Sequence, residues 1–333
     1  MRYVVYGAGA IGGVLGGRLR EAGQEVVFIA RGENRKAIQQ HGLVLQSPQG
    51  RRVLEIPVVG HPRELFFTGE DIVILATKSH QTQDAMMELA SAAPSHVPVV
   101  CAQNGVENER IAQRQFERVI GMYVFIFAAH LTPGAVRYYT HPLSGVADVG
   151  SCGRGQDDLA ETVAADLRSA GFDSLARTSI MPWKYGKLLD NLVNVLQALC
   201  GPDSQAEPDF AALARGAIGE GIACLQAAGI DFVPRETAQD RLASIMPLGE
   251  VEGLPFPGGS SWQSLARGAG RIETDYLNGE VVLQGRLHGV PTPINEVLQT
   301  MAGRAARRRS APGSVAIGEI AAEVAQRGVV LIR

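Results

Sequence analysis

The chain has 333 residues, 46% of them hydrophobic and 20% charged, which is long enough for two domains of ordinary size and typical of a globular protein. A net charge of −3 offers no electrostatic footprint for nucleic acid or an anionic membrane, and no apolar stretch reaches the roughly 18 residues a membrane helix needs. The four cysteines, Cys101, Cys152, Cys200 and Cys224, form no C-x-x-C pair and no Cys/His ligand spacing, so no metal is expected, and reduced, mostly buried thiols fit the cytoplasm.

The first apolar run, Tyr3-Val4-Val5-Tyr6, begins within two residues of Met1, so no signal peptide is expected ahead of the fold. It leads directly into Gly7-Ala8-Gly9-Ala10-Ile11-Gly12 and a helical segment from Ile11 to Ala22. A strand feeding a G-x-G-x-x-G turn that opens a helix is the dinucleotide-binding fingerprint. The first glycine permits the tight turn, the second lets backbone approach a pyrophosphate, and the third lets helix and sheet pack closely. Val26-Val27-Phe28-Ile29 supplies the next strand at βαβ spacing.

Gly42 to Gln46 and Arg52 to Val58 are short β-like pieces around a Pro48-Gln49-Gly50 turn. Further buried strands are expected at Asp71 to Ala76 and Val97 to Ala102, with a helix from Gln81 to Ala92 between them. This alternation predicts a Rossmann-type, doubly wound α/β sheet. Val119 to Ala128, Ala135 to Thr140 and Val146 to Val149 follow without helices between them, so antiparallel pairing is expected at that edge. A helix from Asp157 to Ala170 ends at Gly171. From Met181 the patterns become helical, over 182–200, 208–228, 236–245, 261–287, 294–308 and 314–327, with the longest connection running from Pro247 to Gly259. The expectation is a Rossmann domain over 1–178 and an all-α domain over 179–333. Arg304, Arg307, Arg308 and Arg309 sit at a helix end, where cations favour the macrodipole.

The residue after the second strand selects between the two nicotinamide cofactors. An acid there bonds the ribose 2′-OH, and an arginine accommodates a 2′-phosphate. The strand ends Phe28-Ile29-Ala30-Arg31, so Arg31 points to NADP(H); Glu33 would take the acidic part if the strand ran further. Ligands of such sheets lie at the carboxyl ends of strands, where Thr77-Lys78-Ser79-His80-Gln81 and Gln103-Asn104-Gly105 fall. Lys78 is either a cofactor contact or a solvated side chain, and Asn104 either a site residue or part of a plain Asn-Gly turn.

In the helix from Trp183 to Leu199, Lys187, Asn191, Asn194 and Ala198 share one face at about 100° per residue, opposite Leu188, Leu192, Val195, Leu196 and Leu199. Two mid-helix asparagines each cost a few tenths of a kcal/mol relative to alanine. A cleft wall that needs fixed amides accounts for them, and so does a solvated polar stripe.

The glycine turn, the Q-N-G turn, the K-L-x-x-N helix, the segment Ser260-Ser261-Trp262 with Glu273-Thr274-Asp275-Tyr276-Leu277-Asn278-Gly279, and Gly289-Val290-Pro291-Thr292-Pro293 occur in that order. Together they resemble the ketopantoate reductase (2-dehydropantoate 2-reductase) family over nearly the whole chain. The resemblance implies an oxidoreductase acting on CH-OH groups, with NADPH-dependent reduction of ketopantoate to (R)-pantoate for pantothenate biosynthesis. It implies Lys187 as the catalytic lysine and Glu273 as the essential glutamate. It assigns Asn104 to the nicotinamide and substrate, Asn191 and Asn194 to substrate, and Ser261 to the substrate carboxylate. Gly7, Ala8, Gly9, Ala10, Ile11, Gly12, Arg31, Lys78 and Asn104 are the expected cofactor residues. A small 2-keto acid is the expected partner, and a homodimer is an assembly the resemblance allows.

The chain departs from the family pattern in places. Asn194 lies seven residues after Lys187, where the family usually has eight. Lys184 of the same helix is a second candidate for the lysine role, though the following Lys187-Leu188-Leu189-Asp190-Asn191 register favours Lys187. Gly258 stands where the family commonly has asparagine, and Trp262 where methionine is common. These last two leave open a different branched or hydroxylated 2-keto acid. A non-catalytic NADPH-binding redox sensor would need neither Lys187 nor Glu273 as an acid/base pair, and another Rossmann plus all-α hydroxyacid dehydrogenase fits the Glu273 segment poorly.

Overall fold

The computed structural model describes every residue except Arg154, Gln156, Pro247 and Arg333; Pro247, the expected start of the long connection, thus lies outside the described residues. The strands are β1 (Arg2–Tyr6), β2 (Glu25–Ile29), β3 (Leu43–Ser47), β4 (Gly50–Leu54), β5 (Val58–Val59), β6 (Asp71–Leu75), β7 (Val99–Cys101), β8 (Val119–Phe125), β9 (Ala128–Thr132), β10 (Ala135–Tyr138), β11 (Val146–Ser151) and β12 (Ala176–Arg177). The helices are α1 (Ala10–Glu21), α2 (Gly32–His41), α3 (Thr82–Ala90), α4 (Asn108–Ala112), α5 (Asp158–Ser169), α6 (Met181–Asn191), α7 (Asn194–Cys200), α8 (Pro208–Ala227), α9 (Arg235–Ala243), α10 (Ser260–Ala266), α11 (Asn278–His288), α12 (Pro293–Arg307) and α13 (Ile317–Gln326). They form two compact units, Met1–Lys184 with Glu236–Pro257, and Tyr185–Arg235 with Gly258–Arg333.

The first unit holds an eight-stranded sheet in the order β12-β11-β8-β7-β6-β1-β2-β5. Its pairings are parallel except for β8 with β11. The side-chain period of two divides β1 between two cores. Tyr3 and Val5 join α1 residues Leu15 and Leu19 on one face, and Val4 and Tyr6 join α3 residues Met86 and Leu89 on the other. From β1 the chain moves to β2 on one side and later to β6 on the other, so the strand order reverses at β1. Ligands of open α/β sheets bind at the carboxyl ends of strands beside such a reversal, here the ends of β1 and β6.

Two of the three late strand-like runs, Val119 to Ala128 and Val146 to Val149, supply β8 and β11, which pair antiparallel as expected. The third does not join this sheet. β9 and β10 form a separate sheet with the β3–β4 hairpin, in the order β4-β3-β10-β9. The cause is α1. Its Gly13 faces Val136 of β10 and its Gly17 faces Leu43 and Leu45 of β3, while its Gly12 faces Val5 of β1 and its Gly16 faces Phe28 of β2. The stretch from Gly12 to Gly17 is buried all round and needs cover on both sides, which the small sheet provides.

Segment Glu236–Pro257, expected in the helical domain, packs with the first unit. Asp148 is a fully buried carboxylate on β11, and a buried charge requires partners. Arg241 of α9 supplies a two-pronged pair to it, at 2.7 and 3.0 Å, and also binds Asp173, while Arg177 adds another bond to Asp148 at 2.9 Å. Ile245 joins the cluster of Tyr123, Val146 and Ile180, and Val251 joins Ala129 and Tyr139.

The second unit is helical, with one core among α7, α8, α10, α12 and α13 and a smaller one among α6, α8 and α11. Two expected helices are each divided. The 261–287 pattern is interrupted after α10, where Gly268 and Gly270 adopt φ of +58° and +71°. The 182–200 pattern breaks at Leu192 and Val193, between α6 and α7. No helix among the described residues is long and apolar enough to cross a membrane, and no cluster there could hold a metal ion. All four cysteines are free thiols.

Candidate active site

The first unit carries the glycine turn. Gly7 has φ of +107°, a region that favours glycine. A Cβ at Gly12 would stand 2.0 Å from the Gly7 carbonyl oxygen, whereas a Cβ at Gly9 would meet nothing within 4 Å. Gly7 and Gly12 therefore set the backbone path, and Gly9 leaves open space at the N-terminus of α1. That terminus has no side-chain cap and no acidic residue in its first turn. Its N–H groups and dipole are thus available to an anion, and Ala8, Ala10 and Ile11 add no charge. Asn34 of α2 braces the turn, donating to the Ala8 carbonyl at 2.8 Å and accepting from the Gly134 N–H at 2.7 Å. These features fit a dinucleotide pyrophosphate. Gly12→Ala is expected to weaken binding of a nicotinamide dinucleotide at least about tenfold, a loss of about 1.4 kcal/mol, in a fluorescence titration.

Arg31 stands at the N-terminus of α2 with its side chain largely exposed, hydrogen-bonded to the Tyr6 hydroxyl and ion-paired with Glu88. The strand ends at Ile29, so Glu33 falls inside the first turn of α2, where it pairs with Lys36 at 2.8 Å. It is Arg31, not Glu33, that follows the strand. Lys78, half-buried, opens the short turn Ser79–Gln81 after β6, its N–H donating to Gln81 Oε1 at 3.2 Å.

Asn104, half-buried, sits on the neighbouring loop, after β7. Its carbonyl accepts from Asn108 Nδ2 at 3.0 Å and from Ser79 Oγ at 3.3 Å. Thr82 Oγ1 donates to Asn108 Oδ1 at 2.7 Å and accepts from Gln103 Nε2 at 3.0 Å. The Lys78 and Asn104 loops are thus fastened to each other. Beneath them lies a buried ion pair that sequence reasoning missed. Lys184, 3% exposed, binds Glu109 at 2.5 Å and donates to the Gln103 carbonyl at 2.9 Å. Lys184 is therefore committed to holding the strand end that leads to Asn104. Cys152 lies near this pair, and burial pushes its thiol up to about 12, which leaves it protonated.

The second unit carries the other half of the residue set. Lys187 and Asn191 are one turn apart on α6. Burial pushes the Lys187 ammonium down to about 7, with Arg235 adding to the effect and Asp190 opposing it. Asn191 is buried, and its Nδ2 has no hydrogen-bond partner among the described residues. Its Oδ1 accepts from Asn194 Nδ2 at 3.1 Å. The two amides, three residues apart, meet across the break between α6 and α7. Asn278 donates to the Leu192 carbonyl at 3.1 Å and to Asn295 Oδ1 at 3.0 Å, which satisfies an acceptor the break would otherwise strand. Asn295 is held in turn by Glu220, at 2.7 Å. No periodic pattern marks this helix break, and the Asn278 bond that supports it joins residues far apart in the sequence.

Ser261 is buried in the first turn of α10, which packs on α7. The preceding loop passes Asn194, which lies 3.9 Å from a Cβ built at Gly259. Gly258 has φ of +135°, and a Cβ there would come within 2.9 Å of the Trp262 indole. The two departures from the family pattern are therefore coupled, because the indole occupies the space a side chain at 258 would need. Glu273 is buried in a short 3-10 turn ahead of α11, with Arg267 as a charged neighbour. The second unit thus carries Lys187, Asn191 and the bonded Asn194 on α6 and α7, Ser261 on the adjoining α10, and Glu273 on a separate turn.

Family profiles for ketopantoate reductase PanE/ApbA match residues 3–150 and, for its C-terminal part, residues 179–305. The chain belongs to this family. A 2-dehydropantoate 2-reductase from Pyrococcus horikoshii is 26% identical, over 90% of this chain and 95% of that one. A crystal structure of a PanE/ApbA family ketopantoate reductase from Ralstonia eutropha JMP134 superposes with a TM-score of 0.77 at 28% identity, covering 93% of this chain and 99% of that one. D-mandelate dehydrogenase, solved with NADH and anilino(oxo)acetate, shares the fold at a TM-score of 0.80 and 23% identity, covering 93% and 99%. The Rossmann-type sheet with a helical C-terminal domain is the architecture of this oxidoreductase family.

Proposed function

We propose that this family member is an NADPH-dependent 2-keto acid reductase and that ketopantoate, reduced to (R)-pantoate, is its substrate. The observation that carries the reading is the Lys187 ammonium, pushed down to about 7, one helical turn from the buried Nδ2 of Asn191, which has no partner among the described residues. A buried donor without a partner costs about 1–3 kcal/mol, and a substrate oxygen would remove that cost.

The glycine turn would hold the pyrophosphate, with Arg31 and Lys78 toward the adenosine phosphate and Asn104 toward the nicotinamide. The cofactor, when bound, supplies the hydride that reduces the keto carbon. Lys187 stabilises the negative charge developing on the carbonyl oxygen and gives it a proton, becoming a neutral amine. Asn191 and Asn194 orient the substrate, Ser261 bonds its carboxylate, and Glu273 bonds a substrate hydroxyl or orients Lys187. Neutral donors suffice for a carboxylate when they are fixed in place, and the Asn191–Asn194 bond and the Asn278 brace fix them.

A second reading keeps the chemistry and changes the acid. The Trp262 indole over Gly258 removes one polar group and adds bulk, which favours a less hydroxylated, more apolar 2-keto acid. NADPH oxidation with a panel of 2-keto acids tests both readings. The highest kcat/KM on ketopantoate supports the first and the highest on an apolar keto acid the second, while tight NADPH binding without turnover of any keto acid contradicts both. Arg31→Ala is expected to weaken NADPH binding about tenfold or more while sparing NADH, since a hydrogen bond to a charged group contributes about 1.5–3 kcal/mol.

A further inference from the structure

Arg31 already has an anionic partner within its own unit. Its Nη2 binds the Glu88 carboxylate, and the same nitrogen donates to the Tyr6 hydroxyl at 3.0 Å. Tyr6 in turn donates to Glu88 Oε2, closing a triangle at the carboxyl end of β1. Burial and the Glu88 bond raise the Tyr6 hydroxyl, so it remains a donor to the carboxylate. His61 Nε2 is 3.8 Å from Glu88, and the Glu88 side chain is 28% exposed.

We propose that Glu88 is a specificity-determining counterweight to Arg31, which competes with the cofactor 2′-phosphate for the guanidinium and so holds down the preference for NADPH over NADH. The inference rests on the reading that Arg31 faces that phosphate. A phosphate arriving at Arg31 meets a carboxylate of like charge at the same nitrogen, and must displace it or share the donor. NADH carries no charge at that position, so Glu88 opposes one cofactor and is indifferent to the other. The arginine is 57% exposed, which keeps the competition modest, in the range of exposed ion pairs.

The test is a fluorescence titration of the full chain with NADPH and with NADH, for wild type, Glu88→Gln and Arg31→Ala. Glu88→Gln is expected to tighten NADPH about two- to fivefold and leave NADH unchanged, with the gain shrinking as salt is raised. NADPH binding that is unchanged or weaker in Glu88→Gln overturns the counterweight and makes Glu88 a support that aligns Arg31. The Arg31→Ala arm separates this failure from that of the underlying reading. A lost NADPH preference there upholds the phosphate assignment whatever Glu88→Gln does, and an unaltered NADPH-to-NADH ratio overturns the assignment itself.

Discussion

Lys187→Ala lowers kcat on the keto acid by about 10²- to 10⁴-fold, the range for loss of a positioned general acid, and leaves NADPH binding and the folded state intact. The expectation follows from position and protonation. Lys187 is one turn from Asn191, and its pKa is pushed down from 10.5 to about 7 by burial. A proton donor must be charged to act, so the reductive kcat is high below pH 7 and falls as pH rises through about 7 and the ammonium is lost. That alkaline limb should vanish in Lys187→Ala. Lys187→Arg keeps the charge but cannot release a proton near neutral pH, so it should retain substrate binding and lose kcat. A kcat–pH profile of wild type and the two variants checks all of this. An unchanged limb in Lys187→Ala would assign the titration to another group.

Lys184→Met is expected to destabilise the protein by about 3–5 kcal/mol, the cost of removing one partner of a buried ion pair. Glu109, 1% exposed, would be left beside Gly121 without its ammonium, and the Gln103 and Cys101 carbonyls would lose their donor. The double variant Lys184→Met with Glu109→Leu should recover most of the loss, because replacing a buried pair by apolar groups is often near neutral. Urea denaturation of the wild type, the single and the double variants measures this directly. If Lys184 were the proton donor, Lys184→Met would keep its stability and lose the alkaline kcat limb. The two lysines of α6 are thus separated by different readouts.

Much of the fold is legible in the sequence because it obeys simple periods. The apolar run of β1 and the turn from Gly7 to Gly12 state a strand, a tight turn and a helix in consecutive residues. The small sheet is less legible, since β3 and β10 meet across some ninety residues and only the buried glycines Gly13 and Gly17 of α1 hint that a second layer covers it. The α6–α7 break is hidden because Lys187 to Leu199 keeps a helical period through it. The bond from Asn278 to the Leu192 carbonyl exists only in three dimensions. The lysine of the buried pair reads as an alternative catalyst, because sequence gives the residue type and not its partner. The Gly258 and Trp262 departures read as two separate changes, one lost side chain and one enlarged one, although the indole contact makes them one rearrangement.

The most direct measurement is isotope transfer. Ketopantoate is incubated with the protein and NADPH carrying deuterium at C4 of the nicotinamide, in separate runs for the two faces, and the product is read by mass spectrometry. Pantoate with one deuterium at C2 from one of the two labelled faces is the predicted result. Pantoate without label in both runs, or no pantoate from a protein that binds NADPH, would contradict the account.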